Sequence, residues 1–332
     1  VEAEGGMNAV VEHARKLSSA PSFTSLVTVV LLAAMLLIGG ALYEGFLSLQ
    51  VMLNLLIDNA FLLVIAIGMG FVILSGGIDL SVGAVLALST MIAAWLLQVA
   101  HWPPLAVIAT VLALGFLFGG GMGAVIHYFR LQPFIVTLAG MFLARGLCYL
   151  ISIESITIED PLFVAMSQTQ IPFFGGFLSP GALIALAMLA CAVWLAHYSA
   201  FGRAVYAVGG NEQSAAMMGL AVARTKILVY AFSGFCASLA GLLFAFYMLS
   251  GYGLHAQGTE LDAIAAVVIG GTLLTGGYGY ILGALSGVLV LGTIQTLIAF
   301  DGTLSSWWTR IVIGGLLFVF CVVQRVMAFK ST

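Results

Sequence analysis

Long apolar runs alternate with short polar interludes along the chain, and the runs are too long and too uniformly apolar for the core of a soluble domain. A run of about 20 apolar residues matches the hydrocarbon thickness of a bilayer, so each is predicted to be a membrane-spanning helix. The first covers 25–43 and the second 51–74. A polar break, SGGIDLS at 75–81, then interrupts hydrophobic sequence that resumes to residue 100. Pro103 and Pro104 open a fourth run ending near His127, and others cover 133–152, 181–198, 227–250, 261–274, 281–300 and 307–324. The pattern predicts an all-α polytopic membrane protein of about ten transmembrane helices. The run at 261–274 is short and glycine-rich, which predicts a tilted, broken or protein-shielded span.

One interlude stands out, FGRAVYAVGGNEQSAAMMGLAVARTK at 201–226. Asn211 is a good N-cap, Glu212 suits the positive end of a helix dipole, and Gly219 can close a C-terminus, so a short helix is predicted over 212–218. So short a helix is unstable alone in water, and Ala215, Ala216 and Met218 are expected to dock on another surface. The residues leave open an ordinary connecting loop or a meeting place for a partner.

Composition supports the membrane reading: 62% of residues are hydrophobic and 7% charged, against roughly 25% charged in an average soluble domain. A net charge of −3 with no basic stripe argues against nucleic acid as a partner. Cys148, Cys191, Cys236 and Cys321 lie far apart inside apolar runs and read as small hydrophobes, and no metal site is expected. No cleaved leader is expected, because the first apolar run follows a polar segment and is long enough to span.

Charge sets the orientation. The ten-span topology places Arg15, Lys16, Arg130, Arg203, Arg224, Lys226, Arg325 and Lys330 on one side, eight of the ten basic residues, and that side is expected to be cytoplasmic with both termini. The segment 153–178 carries Glu154, Glu159 and Asp160 without Lys or Arg and is expected outside. Arg145 falls within the fifth span and Arg310 near the outer end of the last, where Trp307 and Trp308 suit an interfacial belt. The expected organisation is a cytoplasmic segment at 1–24, a transmembrane domain at 25–325 holding the cytoplasmic segment 201–226, and a cytoplasmic tail at 326–332.

A weak internal repeat relates GGIDLSVGAVLAL at 76–88 to GTELDAIAAVVIG at 258–270, each with glycine, a leucine–aspartate pair and a small-residue apolar helix. The first break leaves a span near the cytoplasm and the second near the outside, the relation of inverted repeats whose broken helices line a solute path.

Polar residues inside spans are costly and mark functional candidates. Asp58 and Asn59, with Asn54, lie on the second span, and Asp58 either faces a wet path or is solvated near the outer surface. Asp79 either caps the helix beginning at Leu80 or Ser81 or, with Ser81, shapes a pore. Arg145 has three roles open to it: pairing with a carboxylate such as Asp79, binding carbonyls at a helix end, or donating to a solute hydroxyl. Glu260 and Asp262 sit at the outer end of a short span, and Gln295 can offer donors and acceptors to a neutral solute or to another helix. There is no GxxxxGK[ST] phosphate loop, HExxH or GxSxG, so the chain itself is not expected to be an enzyme or an ATPase.

FVILSGGIDLSVGAV at 71–85, PFIVTLAGMFLARG at 133–146, FGRAVYAVGGNEQSAAMMG at 201–219 and ELDAIAAVVIGGTLLTGG at 260–277 resemble the permease subunits of bacterial ABC importers for ribose, xylose, galactose and related sugars. With LIDNAF at 56–61 and FDGTLSSWWTRI at 300–311, the chain looks most similar to the permeases of the galactofuranose importer. The glycine run at 119–123 and His127 depart from the family's pattern. The resemblance implies an inner-membrane subunit without a cofactor of its own. It would work with an ABC ATPase that binds ATP and Mg, a second and different permease, and an extracytoplasmic sugar-binding protein. It also places the coupling segment on Gly202, Arg203, Gly209, Gly210, Asn211, Glu212, Ala215, Ala216 and Gly219. The rival readings are a self-sufficient ion-coupled carrier, built on Asp58, Asp79 and Arg145, and a passive channel.

Overall fold

The computed structural model describes residues 23–305 and 307–330. Their order is α1 (Phe23–Leu42), α2 (Leu49–Asp58), α3 (Ala60–Leu74), α4 (Val82–Gln98), α5 (Pro104–Tyr128), α6 (Pro133–Ile151), β1 (Ile156–Thr157), α7 (Pro161–Gln168), β2 (Ile171–Phe173), β3 (Gly176–Leu178), α8 (Pro180–Tyr198), α9 (Ala200–Gly210), α10 (Glu212–Met217), α11 (Val222–Met248), β4 (Ser250–Gly251), α12 (Thr259–Ile269), α13 (Ile281–Asp301) and α14 (Trp307–Lys330). Arg15 and Lys16 lie outside the described residues, as do the side chains of Arg325 and Lys330. Among the described residues five helices, α5, α6, α8, α11 and α13, are long and apolar enough to cross a membrane. α2 and α3 pass the same test as a bent pair.

Sequence punctuation explains most boundaries. Proline opens α5, α6, α7 and α8, where its missing N–H costs nothing. Asp160, Ser179 and Ser199 cap the helices that follow them. The second expected span, 51–74, is two helices: the chain bends by 54° between α2 and α3. The joint is Asn59, whose amide donates to the Leu55 carbonyl at 3.0 Å instead of continuing an apolar stripe.

α3 is apolar all round and buries every residue except Phe61, as a helix with no polar face must. α11 packs along α3, α4 and α5. Gly115, Gly119 and Gly123 recur every fourth residue on the face of α5 that meets it. A Cβ on Gly119 would overlap the Tyr230 carbonyl, and one on Gly123 would come within 2.9 Å of the Ile227 Cα. Gly234 answers from α11, where a Cβ would overlap the Gly115 carbonyl. Gly119 and Gly123 of the atypical run thus belong, with Gly115, to a close-packing seam of the small-residue kind.

Two stretches of apolar sequence are only partly helical. After α3 the chain runs through 75–81 without regular structure and then begins α4. After α11 an antiparallel ladder, Ile156 opposite Gly251, precedes irregular residues 252–258 and then the eleven-residue α12. The hydrophobic pattern leaves 251–260 as a polar interval between two runs, and the structure packs it along α4. Gly251 packs on Thr90 and Ala94, and the Ala256 carbonyl and Glu260 carboxylate lie against Gly83 at the start of α4. The segment thus runs along α4 by about two to three turns of helix. The starts of α4 and α12 meet there, and the end of α12 leads to residues 270–280 beside the end of α3.

Backbone at that depth must find partners inside the protein. Arg145 supplies them, with Nη1 donating to the carbonyls of Gly253 at 2.6 Å and His255 at 2.7 Å. Of the roles open to Arg145 this is carbonyl binding, and pairing with Asp79 is not seen.

Candidate functional site

The interlude at 201–226 is more regular than its glycines suggest. α9, absent from the sequence expectation, begins at the Ser199 cap and carries the chain to Asn211, whose Oδ1 accepts from the Ser214 amide at 2.8 Å and starts α10. Gly219, at φ 82°, closes α10 in the left-handed conformation expected of it. Ala215 is buried against Val208 and Val222, while Ala216, Met217 and Met218 are exposed. Lys226 Nζ reaches Glu212 Oε2 at 2.7 Å and ties α10 to the first turns of α11.

α9 is anchored to both partly helical stretches. A Cβ on Gly209 would overlap the Leu74 carbonyl at the end of α3 and lie 2.7 Å from the Gly277 amide nitrogen. Tyr206 donates to the Gly279 carbonyl at 2.8 Å, and burial pushes its phenol up to about 12, which keeps it a neutral donor throughout the physiological range. Gly202 abuts the Ala196 carbonyl at the end of α8, Arg203 is exposed, and Gly210 lies beside Gly277 with open space where its own Cβ would be. Beside this junction a polar cleft of about 870 Å³ is lined by Gly209, Asn211, Glu212 and Lys226 together with His127 and Arg130.

The other predicted residues fall into two groups. Asp79 is fully buried and satisfied: Oδ1 accepts from the Ser81 amide at 2.9 Å and hydroxyl at 2.6 Å, and Oδ2 from the Ser233 hydroxyl at 2.8 Å. It holds the turn into α4. Asp58 accepts from the Tyr247 hydroxyl at 3.2 Å. Asp58, Asp79 and Arg145 thus have separate partners and form no common cluster. Among the described residues no group of histidine, cysteine and carboxylate side chains could hold a metal.

Gln295 stands elsewhere, exposed on α13 between two cavities. One, of about 290 Å³, is lined by Asn54, Asp58, Asn59 and Thr296; the other, of about 510 Å³, by Asp262, Thr309 and Arg310. Glu260 is on neither, its Oε2 buried without a hydrogen bond. Arg310 and Thr309 escaped the sequence reading because an arginine near two tryptophans at a helix end looks like an interfacial anchor.

Residues 51–321 match the family described as "Branched-chain amino acid transport system / permease component". The chain belongs to this permease family. It is 50% identical over 285 residues to "Inner membrane ABC transporter permease protein YjfF" of Escherichia coli K12, covering 85% of this chain and 86% of that one. It is 39% identical over 308 residues to "Fructose import permease protein FruG" of Bifidobacterium longum, covering 91% and 90%. It is 37% identical over 295 residues to "Ribose import permease protein RbsC" of Bacillus subtilis, covering 88% and 89%. No solved structure matches the chain.

Proposed function

We propose that this permease is the transmembrane subunit of an ATP-driven importer that carries a neutral sugar, galactofuranose by the motif resemblance, across the inner membrane by alternating access. The observation that carries the reading is the seat of α9. Its end packs against Leu74 and Gly277, which are hydrogen-bonded to each other and belong to the two partly helical stretches. A pull on α10 therefore bears on both stretches at once. α10 offers Ala216, Met217 and Met218 as an apolar face on a polar handle, suited to a cleft on an ABC ATPase that binds ATP and Mg. Closure of that ATPase would move the handle as a rigid body and bias the bundle between two states.

Kinship with importers of fructose and ribose supports a sugar over a branched-chain amino acid. On this reading the bent pair and the five long helices would be joined by α1, α4, α12 and α14 to make ten crossings, with the α10 end and both termini cytoplasmic by the placement of basic residues. In the crossing through 75–81 the irregular half is nearer the α10 end, and in that through 252–258 it is nearer the other, an inverted relation that supports the repeat. A second, different permease and an extracytoplasmic sugar-binding protein complete the assembly.

Co-purification from membranes tests the reading: an ATPase and a second permease accompany the chain, and vesicles holding the complex take up sugar only with ATP. Uptake by this chain alone, driven by an ion gradient, would overturn it.

A further inference from the structure

The cavity of about 510 Å³ bounded by the start of α12, the end of α13 and the start of α14 has the size of an ordinary small-molecule pocket, roughly 300–1,000 Å³. Its polar lining is Asp262, Gln295, Thr309 and Arg310. Asp262 and Arg310 carry opposite charges, yet they do not close on each other as an ion pair. The guanidinium lies over Gly258, where glycine at φ 85° leaves it room. It stacks on Trp307 with Cζ 5.7 Å from the ring centroid, and Nη2 reaches the Gln257 carbonyl at 3.5 Å. The fork is thus held in place with donors to spare, and the carboxylate is left with acceptors to spare.

Gln295 adds a second, independent observation. It is an exposed amide on a membrane-spanning helix, and among the described residues it makes no hydrogen bond. In lipid such a group is costly, so water, a solute or the second permease must reach it, and the cavity beside it is open to the first two. It also lines the neighbouring cavity of Asn54, Asp58, Asn59 and Thr296, so polar groups flank it on both sides along α13.

From this juxtaposition we infer that the cavity is a binding site for a neutral sugar ring, with Asp262 accepting from ring hydroxyls, Arg310 donating to them and Gln295 doing both. The inference rests on the sugar-import reading and specifies where in this chain the sugar is held. One acid and one base give the lining no net charge, which suits a neutral solute whose every hydroxyl both donates and accepts. A zwitterionic amino acid would also meet opposite charges here, which makes leucine the deciding competitor.

The test uses the full chain in its purified membrane complex. D-ribose, D-fructose, D-galactose and L-leucine are each titrated while tryptophan fluorescence is followed, and uptake of the same solutes with ATP is measured in vesicles. A sugar is expected to change the fluorescence saturably and leucine is not. The change is lost in Trp307→Phe, and apparent affinity falls about tenfold in Arg310→Lys and Gln295→Leu, the order set by losing one well-placed hydrogen bond. If Asp262→Asn complex does not accumulate, Gln295→Leu decides, since that side chain is exposed. Wild-type sugar uptake together with unaltered binding and uptake in Arg310→Lys and Gln295→Leu overturns the site and leaves the import reading standing. A response to leucine in place of sugar overturns the ligand class, and failure of the wild type to import any neutral sugar overturns the import reading itself.

Discussion

Gly277 donates its amide to the Leu74 carbonyl at 2.9 Å, a single backbone hydrogen bond joining the end of α3 to the connection between α12 and α13. Gly209 of α9 closes over the same carbonyl with no space for a side chain. Three parts of the chain far apart in sequence therefore meet at one oxygen.

Gly209→Ala is expected to destabilise the solubilised chain by about 1–3 kcal/mol, the range for forcing a methyl group into a closed contact. The neighbouring Gly210→Ala, whose added methyl would have nothing within 4 Å, should cost under about 1 kcal/mol. Thermal unfolding in detergent separates the two. Equal midpoints would show that the junction opens readily.

The seam between α5 and α11 makes a similar contrast within one run of glycines. Gly119→Ala should lower the yield of folded chain sharply, because its Cβ would overlap a backbone carbonyl, whereas Gly121→Ala has open space and should be tolerated. Size-exclusion profiles of the two variants provide the measurement.

Arg145→Ala removes the donor from two carbonyls that have no helix of their own, at a cost of about 1–3 kcal/mol for each group left unsatisfied. The segment 252–258 should loosen first. A cysteine at position 254 is expected to react faster with a soluble thiol reagent in this variant than in wild type. Unchanged reactivity would mean that the ladder between β1 and β4 suffices to hold the segment.

Glu212 and Lys226 distinguish an internal tie from a surface read by a partner. If the ion pair is what matters, Glu212→Lys should uncouple ATP hydrolysis from transport and the exchange Glu212→Lys with Lys226→Glu should restore it. If the ATPase itself contacts Glu212, the exchange stays uncoupled. The ratio of solute carried to ATP consumed reports the difference.

Helix boundaries were legible where local chemistry sets them. Pro103 and Pro104 and the Asn211 cap act within a few residues: the fourth run opens at Pro104 as α5, and a capped short helix was expected over 212–218 where α10 covers 212–217. The bend at Asn59 was not legible, because the apolar run continues through it and only the Leu55 carbonyl reveals the interruption. Nor was the course of 252–258, since GYGLHAQG has the composition of an exterior loop and its depth depends on Arg145, more than a hundred residues away. Of the polar residues singled out, Asp79 and Arg145 serve the backbone, while Asp262 and Gln295 face cavities. Sequence shows that such residues are unusual in a membrane but not which way they point.

The glycine seam also limits how this protein can move. Backbones in direct contact cannot slide by a fraction of a turn, because the next side chain would have to pass through a space sized for a hydrogen atom. α5 and α11 therefore travel as one girder. Whatever opens one mouth and closes the other has to pivot where the chain is not helical, at 75–81 and 252–258, so the same irregular stretches that hold polar groups in the membrane become the joints on which the rigid pieces turn.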